Sequence, residues 1–294
     1  MSNLEISRAP RLDQYVAAAL PRISRAYAVK LINDGMVKVN DSVALKAGTK
    51  VRETDVVFID YDEDVLEAIP DIELEVLYED DDCVVICKPS GLLSHSKGVY
   101  NPEATVGTWL RSRYTPDDLE DVKAVVDQRV GIVHRLDRAT SGVMICAKNA
   151  KATSWLQKQF SQRRVKKSYV AIVSGHFAQE HAIIEMPIER NPKKPQTFRV
   201  GINGKVATTE YQVTATNDEF SLVDLRPTTG RTHQLRVHLH HLGHPIVGDT
   251  LYGGLQADRL YLHAHSLELT LPNRERKTFT VPVPADFQEF MERS

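Results

Sequence analysis

Cysteine is scarce in this chain of 294 residues, and it has no long hydrophobic run. The three cysteines are Cys83, Cys87 and Cys146, and the first two share one face of a predicted strand. This placement favours buried, reduced thiols over a disulfide or a pair of metal ligands. No apolar run is long enough to cross a bilayer, and residues 1–11 lack the apolar core of a secretory signal. We therefore expect a soluble, cytoplasmic protein without a membrane segment.

The net charge is only −2, but the charges are unevenly distributed. Residues 1–52 contain nine Lys or Arg and four Asp or Glu, whereas residues 53–82 contain fourteen acidic residues and no basic one. The remainder of the chain is basic again. Two basic regions separated by an acidic one suit a polyanionic partner, because each phosphate that the protein neutralises releases counterions.

The first basic region has the pattern of a small domain of helices and short strands. Apolar spacing predicts a helix over residues 11–20 and a second over residues 25–34, with Ser24 as its N-cap. Short strands are predicted at 36–39 and 51–59.

The region contains Arg-Leu-Asp at the start of the first predicted helix, Ser24-Arg25, and Val-x-Val-Asn before Asp41. With these motifs it resembles the S4 RNA-binding domain, in which glycine usually stands at the position of Asp41. The resemblance implies that residues 8–62 bind structured RNA through basic side chains, namely Arg11, Arg22, Arg25 and Lys30.

Beyond an acidic linker at residues 63–73, the chain alternates short apolar runs with turns, without a regular strand–helix–strand rhythm. Two helices are predicted there, at 152–162 and 232–242. The predicted strands are 169–174, 198–200, 208–214, 220–225 and 260–271. This pattern favours an α+β domain over residues 74–294, with a mixed, mainly antiparallel sheet flanked by helices.

One stretch concentrates the chemistry, namely Gly131-Ile132-Val133-His134-Arg135-Leu136-Asp137-Arg138-Ala139-Thr140-Ser141-Gly142. It places Asp137 between two arginines, and neighbouring cations favour the ionised form that a nucleophile or charge stabiliser needs. The stretch resembles the central motif of RluA-type RNA pseudouridine synthases, in which this aspartate is the nucleophile. Further motifs of that family occur in its order and spacing. They lie around Lys88-Pro89, around Tyr169, and from Thr229-Gly230-Arg231-Thr232-His233-Gln234-Leu235-Arg236 on to Gly248-Asp249-x-x-Tyr252-Gly253.

The resemblance implies an enzyme that isomerises uridine to pseudouridine in RNA. Asp137, Tyr169 and Arg231 are the predicted catalytic residues. Arg231 and Leu235 lie four residues apart at a predicted helix start, so we expect Arg231 to hold the Asp137 carboxylate while Leu235 forms the pocket floor. Tyr169 offers a flat ring for the uracil and a hydroxyl near its C5 proton.

The reacting base must leave its stack, and the resemblance implies that Arg135 enters the vacated space. Arg138 and Lys167 are predicted as phosphate contacts or solvated charges. The acidic insertion at 115–128 is a candidate for choosing the target site.

Two other readings compete with this one. Five histidines cluster between residues 233 and 244, but the Glu of a His-Glu-x-x-His zinc motif is missing, so we expect no metal. The alternative to an enzyme is a non-catalytic S4-type RNA-binding or ribosome-assembly protein. We expect a monomer without cofactor that acts on large-subunit ribosomal RNA, with transfer RNA as the alternative substrate.

Overall fold

The computed structural model of the protein describes residues 10–20, 25–61, 70–95, 103–114 and 131–293. The predicted residues Arg22 and Ser24, most of the predicted linker and the insertion at 115–128 lie outside this part of the chain. Within the described ranges, no helix is long and apolar enough to span a bilayer.

The described residues divide between two compact units. The first takes those of Met1–Ile72 and His95–Arg113, and the second takes those of Glu73–Ser94 and Gly131–Ser294 together with Tyr114. The predicted domain boundaries stay predictions.

The first unit begins with helices α1 (Leu12–Ala19) and α2 (Arg25–Asn33), as predicted. An antiparallel sheet follows, in the order β2-β1-β3, made of β1 (Val37–Val39), β2 (Ser42–Val43) and β3 (Val57–Ile59). The predicted strand at 51–59 is thus realised only at its end. The unit also contains helix α3 (Val106–Arg113).

A two-residue turn joins β1 to β2, because Val39 pairs with Ser42. Asn40 and Asp41 have positive φ angles of 50° and 61° there. Asn and Asp tolerate this left-handed conformation better than most residues, so Asp41 can occupy the position without glycine. The core of the unit packs apolar residues of both helices against this sheet, including Leu12, Val16, Ile32 and Val37.

In the part of the chain that the structure describes, the second unit is built on a nine-stranded sheet. Its strands are β4 (Glu75–Glu79), β5 (Cys83–Lys88), β6 (Ser141–Ala147), β7 (Lys166–Ser174), β8 (His181–Glu185), β11 (Thr208–Thr216), β12 (Phe220–Pro227), β13 (Leu262–Thr270) and β14 (Arg276–Thr280). Their order is β4-β5-β6-β13-β7-β12-β11-β8, with β14 added beside β13. Among these strands, only the β6–β13 pair is parallel. The α+β fold with a mixed, mainly antiparallel sheet is therefore confirmed.

Helices and a hairpin complete the second unit. The helices are α4 (Ala150–Ser161), α5 (Gln234–His241) and α6 (Ala285–Arg293), and a short 3₁₀ turn spans Thr250–Tyr252. The hairpin pairs β9 (Ile188–Arg190) with β10 (Phe198–Val200). Leu235 and Leu239 of α5 pack on residues of β7, β12 and β13, including Ala171, Leu225 and Leu262, so the start of α5 is fixed against the sheet.

Candidate active site

Asp137 lies in the loop that leads into β6, and buried Lys88 holds the backbone beside it. The Lys88 Nζ atom donates to the carbonyl oxygens of Pro89 and Leu92 at 2.8 Å and of Arg138 at 3.2 Å. Burial lowers the pKa of Lys88 to about 8, although the nearby charge of Asp137 opposes this. The Lys-Pro motif thus serves the site by anchoring the loop that carries Asp137.

Two more side chains fix the same loop. The Ser94 hydroxyl accepts from the Leu136 amide at 3.1 Å and donates to the Leu136 carbonyl at 2.8 Å. His134 accepts from the Ile145 amide at 3.1 Å through Nε2. Burial and then the charge of Lys167 lower the pKa of His134 to about 3, so this ring stays neutral. The backbone around Asp137 is therefore held on both sides.

Gly142 explains why the motif ends in glycine. Its φ is +119°, and a Cβ atom there would lie 2.2 Å from the carbonyl oxygen of Ala264. Because β6 runs parallel to β13 at this point, any side chain would force the two strands apart.

The Asp137 carboxylate accepts a hydrogen bond from Arg236 and lies near His233. Its Oδ2 atom lies 3.4 Å from Nη1 of Arg236 and 3.9 Å from Nε2 of His233. Arg236 also donates to both oxygens of buried Asp249, at 2.7 and 2.8 Å. Burial alone would lower the pKa of Arg236, but its hydrogen bonds with Asp249 and that residue's charge raise it. A charged guanidinium, fixed from behind, thus faces Asp137.

Our expectation that Arg231 holds Asp137 is corrected by this geometry, because Arg236 lies there instead. Arg231 donates through Nε to the Val206 carbonyl at 3.0 Å. The physical reason is the start of α5, which begins at Gln234 and not at Thr232. Arg231 therefore precedes the helix, and the expected helical face with Leu235 does not exist.

An open cavity of about 620 Å³, including the solvent at its mouth, lies in front of Asp137. The cavity brings together six of the predicted site residues, namely Arg135, Asp137, Lys167, Tyr169, Arg231 and Leu235. Arg138 is exposed and does not line it.

Tyr169 and Lys167 reach the cavity from β7, where residues two apart share a face. Burial raises the pKa of Tyr169 well above its ordinary value of 10, and the charge of Asp137 contributes a smaller part of this rise. The hydroxyl therefore keeps its proton at neutral pH. Lys167 donates to the Thr229 carbonyl at 2.9 Å, and burial lowers its pKa to about 8. Lys167 is only partly exposed, which argues against a fully solvated charge.

The basic residues of the first unit are arranged differently. Arg11 and Arg25 each pair with buried Asp13, at 3.0 and 2.8 Å, and Lys30 pairs with Asp34 at 3.3 Å. The three cationic side chains remain at least half exposed. Arg22 lies outside the described residues.

Sequence reasoning missed four contributors to the site. They are His233, Arg236, Asp249 and Tyr252. All four occur in the last motif or just after it, so the signal was present, but spacing alone does not reveal which arginine faces Asp137.

The family model described as RNA pseudouridylate synthase matches residues 82–241, which is more than half of the chain. The chain belongs to this family. As a pseudouridine synthase it isomerises uridine in RNA to pseudouridine. The S4 domain model matches residues 10–57. Both predicted resemblances are therefore confirmed.

Relatives of this synthase match its sequence over most of their length. It is 39% identical over 247 residues to an uncharacterized RNA pseudouridine synthase of Aquifex aeolicus, covering 83% of this chain and 77% of the relative. It is 36% identical over 301 residues to ribosomal large subunit pseudouridine synthase D of Haemophilus ducreyi and to that of Escherichia coli K12, covering 96% of this chain and 90% of each relative.

Solved structures agree with the fold. Human RNA Pseudouridylate Synthase Domain Containing 1 has a TM-score of 0.59 at 30% identity, over 71% of this chain and 83% of that one. Human RNA Pseudouridylate Synthase Domain Containing 4 also has a TM-score of 0.59, at 28% identity, over 74% of this chain and 92% of that one.

Proposed function

We propose that this synthase modifies specific uridines of large-subunit ribosomal RNA. The substrate class is inferred from relatives named as ribosomal large subunit pseudouridine synthases, which match 96% of the chain at 36% identity. The S4 domain supports it, since such a domain suits structured RNA.

The observation that carries the catalytic proposal is the Asp137 carboxylate at the wall of the open cavity, where the contacts made by the described residues fall on Oδ2. In the reaction the N1–C1′ bond breaks with its electron pair on the uracil, the base turns, a C5–C1′ bond forms and the C5 proton leaves. Asp137 serves as nucleophile on the sugar or base, or as the acceptor of a sugar proton. Each of these routes needs an ionised carboxylate next to the bound nucleoside.

Tyr169 and Leu235 hold the flipped base, with the ring against one face and Leu235 as the floor. Because the Tyr169 hydroxyl stays protonated, it can take the C5 proton only while passing on its own. Lys167 donates to a carbonyl oxygen of the base, where negative charge collects once the glycosidic bond has broken.

The remaining basic residues bind the RNA around the target. Arg135 is exposed at the cavity and fills the space that the base leaves. Arg231 and Arg138 contact phosphates near the cavity. Arg11, Arg22, Arg25 and Lys30 bind structured RNA.

The chain is organised as an S4 domain at residues 8–62, an acidic linker at 63–73 and a catalytic domain at 74–294. It works as a monomer and without a metal. Because the isomerisation is redox-neutral, it needs no redox cofactor.

The test uses ribosomal RNA transcripts labelled with tritium at uridine C5. Wild-type protein in EDTA should release tritium and leave pseudouridine at defined positions, whereas Asp137→Asn should bind the RNA with unchanged affinity and release none. Asp218→Asn, an exposed change of the same kind, should behave as wild type.

Release from transfer RNA but not from ribosomal RNA would overturn the substrate and keep the chemistry. Tight binding without release from either RNA would favour the non-catalytic alternative.

A further inference from the structure

His233 occupies an unusual backbone position beside Asp137. It is the residue before α5 and has a left-handed conformation, with φ of 56° and ψ of 22°. Non-glycine residues adopt this conformation infrequently, and such positions concentrate at functional sites. The side chain is 17% exposed and its Nε2 atom points to Asp137 Oδ2 at 3.9 Å.

The other ring nitrogen of His233 meets a buried tyrosine. Nδ1 lies 2.8 Å from the Tyr252 hydroxyl oxygen, and that oxygen accepts from the Phe198 amide at 2.9 Å. The two rings stand edge to face, with centroids 5.6 Å apart. His233 is thus fixed between the hairpin strand β10 and the carboxylate of Asp137.

One arrangement of protons gives every group in this chain of contacts a partner. Among the described residues, the Tyr252 hydroxyl contacts the Phe198 amide, from which it accepts, and His233 Nδ1, which is therefore the acceptor available for its own hydrogen. Nε2 then carries the ring hydrogen and presents a donor to the Asp137 carboxylate. The reverse tautomer would leave the Tyr252 hydrogen without an acceptor among the described residues and would set a nitrogen lone pair against the carboxylate. Burial, opposed by the charge of Asp137, lowers the pKa of His233 and favours the neutral ring.

We propose that His233, in the tautomer selected by Tyr252, is a positioning residue that holds Oδ2 of Asp137 together with Arg236, so that Oδ1 is the oxygen that reacts. This rests on the proposed catalytic role of Asp137. In the described part of the chain both donors fall on Oδ2, and Oδ1 has no hydrogen-bond partner. Two donors on one oxygen restrict rotation of the carboxylate and turn the other oxygen towards the substrate.

The tautomer can be tested without activity. In protein labelled with ¹⁵N-histidine, the His233 signal is assigned by its loss in His233→Gln. At pH 7 we expect an unprotonated Nδ1 and a protonated Nε2, and a mixture of tautomers in Tyr252→Phe, which keeps the ring and removes only the hydroxyl. A proton on Nδ1 in the wild type would overturn the proposal.

The positioning role is tested by single-turnover rates on an RNA that the wild type modifies. His233→Leu should lower the rate at saturating RNA about tenfold, because the N–H that faces the charged carboxylate at 3.9 Å is lost, with the dissociation constant for RNA unchanged. His233→Gln should recover most of the rate, because its amide nitrogen can occupy about the position of Nε2. Tyr252→Phe should fall between them.

The matched control is His176→Leu, which alters an exposed histidine bonded to the Asn217 carbonyl and should retain the wild-type rate. Equal rates for His233→Leu and wild type would refute the positioning role while leaving the proposed function intact. A wild type inactive on every RNA would instead refute the proposed function, and the NMR test of the tautomer would still stand.

Discussion

Both units of this synthase fix arginines with a buried carboxylate, but they direct the cations to different places. In the first unit, Asp13 is 3% exposed, and the Arg11 and Arg25 side chains that bind it are 50% and 54% exposed. In the second unit, Asp249 is 1% exposed and its partner Arg236 only 10%. The first arrangement presents positive charge to solvent, and the second presents it to Asp137 inside the cavity.

The difference follows from what each cation must bind. A phosphate of RNA arrives from solvent, so an exposed guanidinium on a fixed stem is sufficient and its screening by salt is tolerable. During the reaction the charge on Asp137 changes at the wall of the cavity. A cation that is already fixed beside this carboxylate does not have to reorganise while the reaction proceeds. Burying such a cation is costly unless an acid such as Asp249 compensates it.

Replacing Arg236 removes the buried ion pair with Asp249 in the second unit. This change should have the largest effect on both the reaction rate and the stability. Arg236→Met leaves Asp249 buried without its cation and removes the donor to Asp137. We expect single-turnover catalysis at saturating RNA to fall about 10²- to 10³-fold. The free energy of unfolding, measured in urea, should fall by about 3–5 kcal/mol.

Arg231→Met is the matched control, because Arg231 lines the same cavity but is bonded to the Val206 carbonyl. It should leave the rate at saturating RNA within about tenfold and weaken RNA binding slightly. A larger loss of rate in Arg231→Met than in Arg236→Met would reverse our correction.

The sequence predicts much of this fold, because its strongest signals are local. Helix α4 and strand β7 have clear apolar periodicity and are found within a few residues of their predicted bounds. Local sequence signals do not show which arginine lies beside Asp137. This depends on the left-handed His233, which delays the helix start to Gln234, and this conformation has no sequence signal of its own.

The pairing of Asp13 with two arginines is equally hidden from the sequence. Arg11 is two residues away and lies before α1, while Arg25 lies twelve residues further along the chain. Helical spacing rules pair residues three or four apart, so they find neither contact.

Lys167 is another partly buried cation of the second unit, and the role of its charge can be tested by varying the pH. Burial lowers the pKa of its amine to about 8. If the ammonium form binds the base, the single-turnover rate should fall as the pH rises through about 8. Lys167→Arg stays charged and should lose this alkaline limb, whatever its absolute rate. Lys166→Arg, on the opposite face of β7, should keep the limb. An unchanged limb in Lys167→Arg would assign it to another group.

The smallest expected effect on stability comes from replacing Asp13, the buried acid that binds Arg11 and Arg25 in the first unit. Asp13→Asn removes both ion pairs, but the exposed arginines can return to water, so the loss of stability should be only about 1–3 kcal/mol at neutral pH. Burial raises the pKa of Asp13, but the hydrogen bonds and charges of Arg11 and Arg25 outweigh this and lower it below the ordinary value of 3.8. A carboxyl whose folded pKa is depressed contributes stability above its unfolded pKa and loses it as the pH falls through the folded one.

The stability difference between wild type and Asp13→Asn should therefore be full at pH 7 and shrink steadily below about pH 4. Hydrogen exchange in peptides covering α1 and α2 of the full chain measures it, and the catalytic rate at saturating RNA should not change. Asp34→Asn, which removes the exposed pair with Lys30, should alter stability by less than about 0.5 kcal/mol at any pH. A difference that persists at low pH would mean that Asp13 acts through packing and not through its charge. The contrast between the two buried acids would then no longer be one of electrostatics.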